Sequence, residues 1–199
     1  MPGTELSPRR RQLLETAVEV VADHGMRGLT HRAIDRRARL PEGSCSSYFR
    51  TRSSLQRALA GFVAARLNAD VQGLSTELVA SAGRLDLEVT AIRRLFTGWL
   101  GTPALLVAKV ELTMEASRDP ELAAIFGGWR RELVQLVDDV MDAVGREHSS
   151  AHAEALVAAL DGVLLGALLQ AADDQAEYLN DCLAQLMLPL LGNERDDTH

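Results

Sequence analysis

The sequence predicts an all-α fold: an N-terminal three-helix segment (residues 1–52) followed by a C-terminal helical bundle (residues 53–199), about nine helices in all. Three observations lead there. Ala and Leu carry most of the apolar mass while aromatic residues make up 4% of the chain, so good helix formers outweigh strand formers. Apolar residues recur at helical spacing between recognisable start and stop signals. Breakers divide the C-terminal part at Gly83, Gly101-Thr102-Pro103, Arg118-Asp119-Pro120, Gly145 and Asp173-Asp174.

Taken in order, Ser7 can cap the first helix with Pro8 at its first position, where no donor is needed. Leu14, Ala17, Val18 and Val21 form its apolar face, and Gly25 suits a left-handed end. Thr30 caps a second helix running to about Ala38, with Leu29 stapled against Ile34. Arg39-Leu40-Pro41 interrupts, because proline disfavours the helical conformation for Leu40 and supplies no donor. A third helix is expected over 42–49 and a fourth from a cap at Ser53 to about 79. Further helices follow at about 85–100, 103–116, 119–145, 150–172 (capped by Ser150) and 174–191. A tight turn between two short helices makes them cross steeply and matches the helix-turn-helix plan.

Charge is divided unevenly. The chain has a net charge of -7, yet residues 1–60 carry eleven Arg against six acids, a net +5. Residues 61–199 carry 10 basic and 22 acidic side chains, a net -12. A basic head on an acidic body is expected when only the head meets phosphate. Cys45 and Cys182, far apart and inside helices, argue against a disulfide framework and for a reducing cytoplasm. The polar N-terminus lacks a signal-peptide core, and the longest apolar stretch, 155–169, is interrupted by Asp161. No membrane association is expected.

Small residues on the third helix (Gly43, Ser44, Ser46, Ser47) let its backbone approach a major groove, and their hydroxyls can meet bases or phosphates. Thr30 and the helix start behind it offer donors to a phosphate, as do Tyr48 and Arg52. Thr30 also serves simply as a cap, and Ser46 equally as a solvated face. The run Leu29-Thr30-His31-Arg32-Ala33-Ile34, with Gly43-Ser44, Tyr48-Phe49-Arg50 and Leu55, resembles the TetR family of bacterial regulators, most closely over residues 10–57. The resemblance implies the same phosphate- and base-contact roles at the matching positions. The expected DNA-facing set is Thr30, His31, Arg32, Pro41, Glu42, Gly43, Ser44, Ser46, Ser47, Tyr48 and Arg52. Arg39 occupies a turn position where the family commonly has Gly, Pro41 replaces a polar cap, and Ser46 and Ser47 stand where many members carry aromatics.

In the body, the helix over 150–172 is apolar nearly all round and must be covered on most faces. Gly162 and Gly166, four apart, would permit close backbone approach. With the following helix it is similar to the family's dimerisation pair. The expected interface is Leu156, Leu160, Val163, Ala167, Leu179, Leu183, Leu186 and Leu190, although burial within one chain explains the same pattern. Phe96, Trp99, Leu105, Val110, Met114, Phe126, Trp129 and Leu133 suit an apolar ligand, and core packing explains each of them singly. His148 and His152 are four apart, but two ligands do not make a metal site and helix capping accounts for them. No phosphate loop, nucleophile elbow or Cys-His pair is present, so neither enzyme activity nor a cofactor is expected.

The resemblance implies a cytoplasmic homodimer that regulates transcription, nucleoid-associated when bound to DNA. The leading expectation is a repressor released from a palindromic double-stranded operator by a small apolar or amphipathic effector. Two other readings stay open: an activator or DNA binder without an effector, and a helical sequestering protein or enzyme whose head has lost DNA binding.

Overall fold

A computed structural model describes residues 6–81, 84–143, 145 and 149–191, the side chains of Leu85 and residues 187–191 excepted. Among the described residues there are nine helices and no strand: α1 (Pro8–Gly28), α2 (His31–Arg37), α3 (Ser44–Tyr48), α4 (Arg52–Ala80), α5 (Leu85–Gly101), α6 (Ala104–Ala116), α7 (Pro120–Ala143), α8 (Ser150–Leu168) and α9 (Gln175–Leu191). Two compact units emerge, one of Met1–Ala69 with Thr102–Arg130, the other of Asp70–Gly101 with Arg131–His199. The expected boundary after residue 52 is therefore drawn differently. The first half of α4, α6 and the start of α7 join the head, because Leu55, Leu59, Val63 and Leu67 are buried and α6 packs along α1.

In the first unit the local signals work largely as read. The Ser7 hydroxyl accepts from Arg10 N at 3.4 Å, and Thr30 Oγ1 from Ala33 N at 3.1 Å. Gly25 breaks α1 with φ 64°, but a further turn continues to Gly28. Three long-range bonds hold that turn and the residue after it: Glu111 Oε2 on α6 accepts from Met26 N at 3.0 Å, and Arg52 donates to the carbonyls of Leu29, at 2.6 Å, and Met26. Arg39 takes φ 55°, the left-handed conformation usually left to glycine, so the turn keeps its shape with a strain of about 1 kcal/mol.

Three local expectations need correction. α3 starts at Ser44 rather than 42, because Gly43 at φ 93° takes the cap position. α4 is capped by Thr51 rather than Ser53. Thr51 Oγ1 accepts from Ser54 N at 3.0 Å, and Ser54 Oγ accepts from Thr51 N at 3.1 Å, a reciprocal pair. α8 is capped by Ser149 rather than Ser150, and His152 Nδ1 accepts from the Ser149 N–H at 3.2 Å.

What docks α3 is a buried acid. Asp35, 3% exposed on α2, accepts from Gly43 N at 2.9 Å through Oδ2 and from Cys45 N at 2.7 Å through Oδ1. A five-residue helix has almost no stability of its own. The carboxylate satisfies donors at its N-terminus, and the core side chains Cys45 and Phe49 anchor it from below.

In the second unit, α5, α8 and α9 pack on one another. The core holds Ala91, Ile92, Phe96, Leu100, Ala153, Val157, Val163, Leu164, Ala167, Leu179 and Leu183. Gly166, not Gly162, is the close-approach glycine. A Cβ there would lie 2.9 Å from Tyr178 Cζ, whereas nothing lies within 4 Å at Gly162. α8 has the length and apolarity to cross a membrane, with 28% of its window buried, and it packs on α9 and α5.

Asp35→Ala leaves the buried Cys45 N–H unsatisfied and removes the acceptor of Gly43 N, and is expected to destabilise by about 2 kcal/mol. Urea unfolding followed by circular dichroism measures the loss, and an unchanged midpoint refutes the role. Gly166→Ala should lower the melting temperature despite alanine's higher helix propensity, whereas Gly73→Ala, with open space around it, should stabilise by up to about 1 kcal/mol. A thermal melt that raises both contradicts the crowding at Tyr178.

Candidate nucleic-acid interface and regulatory body

α2 and α3 pack together and leave one polar face open. On α3, Cys45 is fully buried, and at about 100° per residue Ser47 lies on the opposite side. Gly43, Ser47 and Tyr48 (45% exposed) are open to solvent, as are Pro41 and Glu42, while Ser44 and Ser46 are half-buried. Burial pushes the Cys45 thiol up to about 11, with the Asp35 charge adding to it, so this cysteine stays a neutral core group.

The three serine hydroxyls on α3 each donate to the backbone: Ser44 to Pro41 O at 2.7 Å, Ser46 to Gly43 O at 3.0 Å and Ser47 to Ser44 O at 2.7 Å. His31, on the first turn of α2, sits 2.6 Å by Nε2 from the Phe49 carbonyl. A carbonyl only accepts, so Nε2 carries the hydrogen and ties the start of α2 to the end of α3. Arg32 pairs with Glu42 at 2.6 Å, bridging α2 and the turn in full solvent exposure. Thr30 is exposed and its oxygen already accepts the Ala33 amide, which leaves its proton for an outside acceptor.

Arg52 combines two properties. It is exposed, yet its guanidinium holds the Met26 and Leu29 carbonyls, a structural bond that sequence reasoning missed. Arg10 also has an internal contact, lying over the Phe49 ring at 5.2 Å. Arg37 is held by Glu19, at 2.8 Å, and Asp23, and these hydrogen bonds raise its pKa further above the ordinary arginine value. Arg36, Arg39 and Arg50 are exposed around the α2–α3 face, and none of them was among the expected DNA-facing residues. Asp35 was missed because an acid beside Ile34 reads as a solvated residue until its long-range partners are known.

The candidate ligand residues fall into separate groups. In the first unit, Phe126 meets Trp129 edge-on at 6.2 Å, and Lys109 Nζ lies 5.2 Å from the Trp129 ring centre. Leu105 is half-buried, Val110 is exposed, and Met114 (56% exposed) lines an open cleft of about 330 Å³ with His24, Arg27, Glu111, Glu115 and Arg118. Among the described residues, Trp129 Nε1 is buried without a hydrogen-bond acceptor. In the second unit, Phe96 stacks on Trp99 at 5.8 Å, Trp99 Nε1 donates to Asp70 at 2.9 Å, and Leu133 is half-buried.

The expected dimer residues differ in burial. Val163, Ala167, Leu179 and Leu183 are buried in the core of the second unit. Leu156, Leu160 and Leu186 are half-buried, and the side chain of Leu190 lies outside the described residues. α8 also carries an open apolar face of Ala151, Ala155, Ala158, Gly162 and Leu165, extended by its C-cap Leu169, spaced three and four apart, with Leu169 81% exposed. His148 lies outside the described residues. Among the described residues no group of three or more His, Cys, Asp or Glu is placed to hold a metal.

Residues 83–189 match the model of the tetracyclin repressor-like C-terminal domain. The chain is 28% identical over 200 residues to the HTH-type transcriptional regulator BetI of Pseudomonas fluorescens, covering 98% of this chain and 100% of that protein. A TetR-family structure from Streptomyces coelicolor matches with a TM-score of 0.67 and 28% identity, covering 90% of this chain and 98% of the other. The multidrug binding protein EbrR in complex with imidazole matches with a TM-score of 0.60 and 29% identity, covering 91% and 96% of the two chains. More than half of the chain lies within the matched domain, and the helix-turn-helix precedes it as the residues require: the protein belongs to the TetR family of DNA-binding transcriptional regulators.

Proposed function

We propose that the chain is a homodimeric repressor that grips a palindromic operator through α2 and α3 and lets go when a small apolar or amphipathic effector binds. The observation that carries this reading is the α2–α3 face, where small side chains front a helix held rigidly by Asp35. Gly43, Ser44, Ser46 and Ser47 allow close approach to a major groove, with Pro41 and Glu42 at its edge. Thr30, Tyr48, His31, Arg32 and Arg52 ring that face as phosphate partners and positioning groups. The acidic body confines DNA to this end.

Two features support the rest. The α8 stripe of Ala155, Ala158, Gly162, Leu165 and Leu169 suits a second copy of the same helix across a two-fold axis, and a two-fold dimer matches a palindromic site. Within the first unit, the Phe126–Trp129 pair, with the unpartnered Trp129 donor, suits a flat apolar compound that carries one acceptor. The likeness to a multidrug-binding relative agrees with that class of effector.

Selection of genomic fragments with the purified full-length chain should enrich an inverted repeat, with affinity falling steeply as salt rises. Tyr48→Phe should weaken binding about tenfold, the worth of one phosphate bond. No retarded fragment at any salt would sink the reading. The paired change Leu165→Glu and Leu169→Glu should halve the mass in sedimentation and abolish operator binding while leaving helical content intact. A wild type that sediments as a monomer at concentrations that saturate DNA overturns the dimer.

A further inference from the structure

The hydrogen-bond inventory of α3 leaves it with almost nothing to donate. Its first amides are occupied: Gly43 N and Cys45 N by Asp35, and Ser44 N by Pro41 O at 3.2 Å. A serine hydroxyl has one proton and two lone pairs, and in Ser44, Ser46 and Ser47 that proton already points to a backbone carbonyl. The segment from Gly43 to Phe49 contains no Arg, Lys, Asn or Gln, the side chains that usually read guanine and adenine by donation. Of the three serines Ser47 is the exposed one, and it stands opposite the buried Cys45.

We propose that Ser47 is a specificity-determining residue that reads DNA as an acceptor: its Oγ takes a hydrogen bond from the exocyclic amine of a cytosine (N4) or an adenine (N6) in the major groove. This rests on the DNA-binding reading above. Only those amines donate in that groove. Guanine presents O6 and N7 and thymine presents O4, all acceptors that repel an acceptor oxygen. The hydroxyl keeps its bond to Ser44 O while it accepts, so recognition does not require dismantling the helix surface. A donor role would require breaking that 2.7 Å bond first. The amine sits at a different place across the groove in an A·T and a G·C pair, so one fixed acceptor discriminates between them.

The test uses the full-length chain and a duplex selected from random sequence. In that duplex each base of a half-site is replaced singly by an analogue: 2-pyrimidinone for cytosine, purine for adenine, 7-deazaguanine for guanine. Affinity is read by fluorescence anisotropy at fixed salt for the wild type and for Ser47→Ala. The expected result is one position per half-site at which removing the amine weakens the wild type about three- to tenfold and Ser47→Ala not at all. The pyrimidinone and purine arms tell cytosine from adenine, and the wild-type scan reads amine dependence without any variant. Amine losses that Ser47→Ala feels as strongly as the wild type overturn the proposal. So does a 7-deazaguanine loss that vanishes in Ser47→Ala, which marks a donor. Both outcomes leave DNA binding itself intact, whereas a wild type that enriches no duplex overturns the two together.

Discussion

Asp35 is the group on which the head depends. α3 is too short to hold itself together, and two amides at its start, the buried one of Cys45 among them, would otherwise lack acceptors within the chain. A single carboxylate from α2 satisfies both, so the angle between the two helices is set by bond directions rather than by packing alone. His31 repeats the tie at the other end of α3, through the Phe49 carbonyl. With both ends fastened, a five-residue element is held as a rigid plate, as the proposed base-reading surface requires.

The same economy governs the chain around it. The turn after Gly25 is held by one donor bond to Glu111 and by two carbonyl bonds from Arg52, so α6 and α4 both grip the end of α1. Arg10, Arg32 and Arg37 are engaged within the protein, and the basic character of the head is thus less a uniform cloud than its Arg count suggests. On the proposed reading, specificity and electrostatics separate: arginines around the face favour the phosphates, and the acceptor oxygen of Ser47 chooses among bases.

The second unit turns on how α8 divides its apolar surface. One side, with Ala153, Val157, Val163, Leu164 and Ala167, is buried in the chain. The other, with Ala155, Ala158, Gly162, Leu165 and Leu169, is open. A helix apolar on both sides meets the length and hydropathy test for a membrane span. In this chain one of those faces is buried in the core, and the other is the face proposed above to meet a second copy. Tyr178 resting on Gly166 sets the register of α8 against α9.

Helix number, order and approximate limits were legible in the sequence, because caps, breakers and 3.6-residue periodicity are local properties. So were the small residues of α3 and the charge division, which composition alone carries. What stayed hidden depends on partners distant in the chain. Nothing adjacent to Asp35 reveals that it caps another helix, and nothing beside Arg52 reveals the carbonyls it holds. Serines at 44, 46 and 47 read as general hydrogen-bonding groups until their protons are seen to be occupied. Val163, Ala167, Leu179 and Leu183 were expected at a partner surface. The periodicity marked α8 and α9 as apolar, but only the packing of α5, α8 and α9 decides which apolar face the chain keeps for itself. Local physics determined where the helices are; the tertiary structure decided which side of each is buried and which is left open.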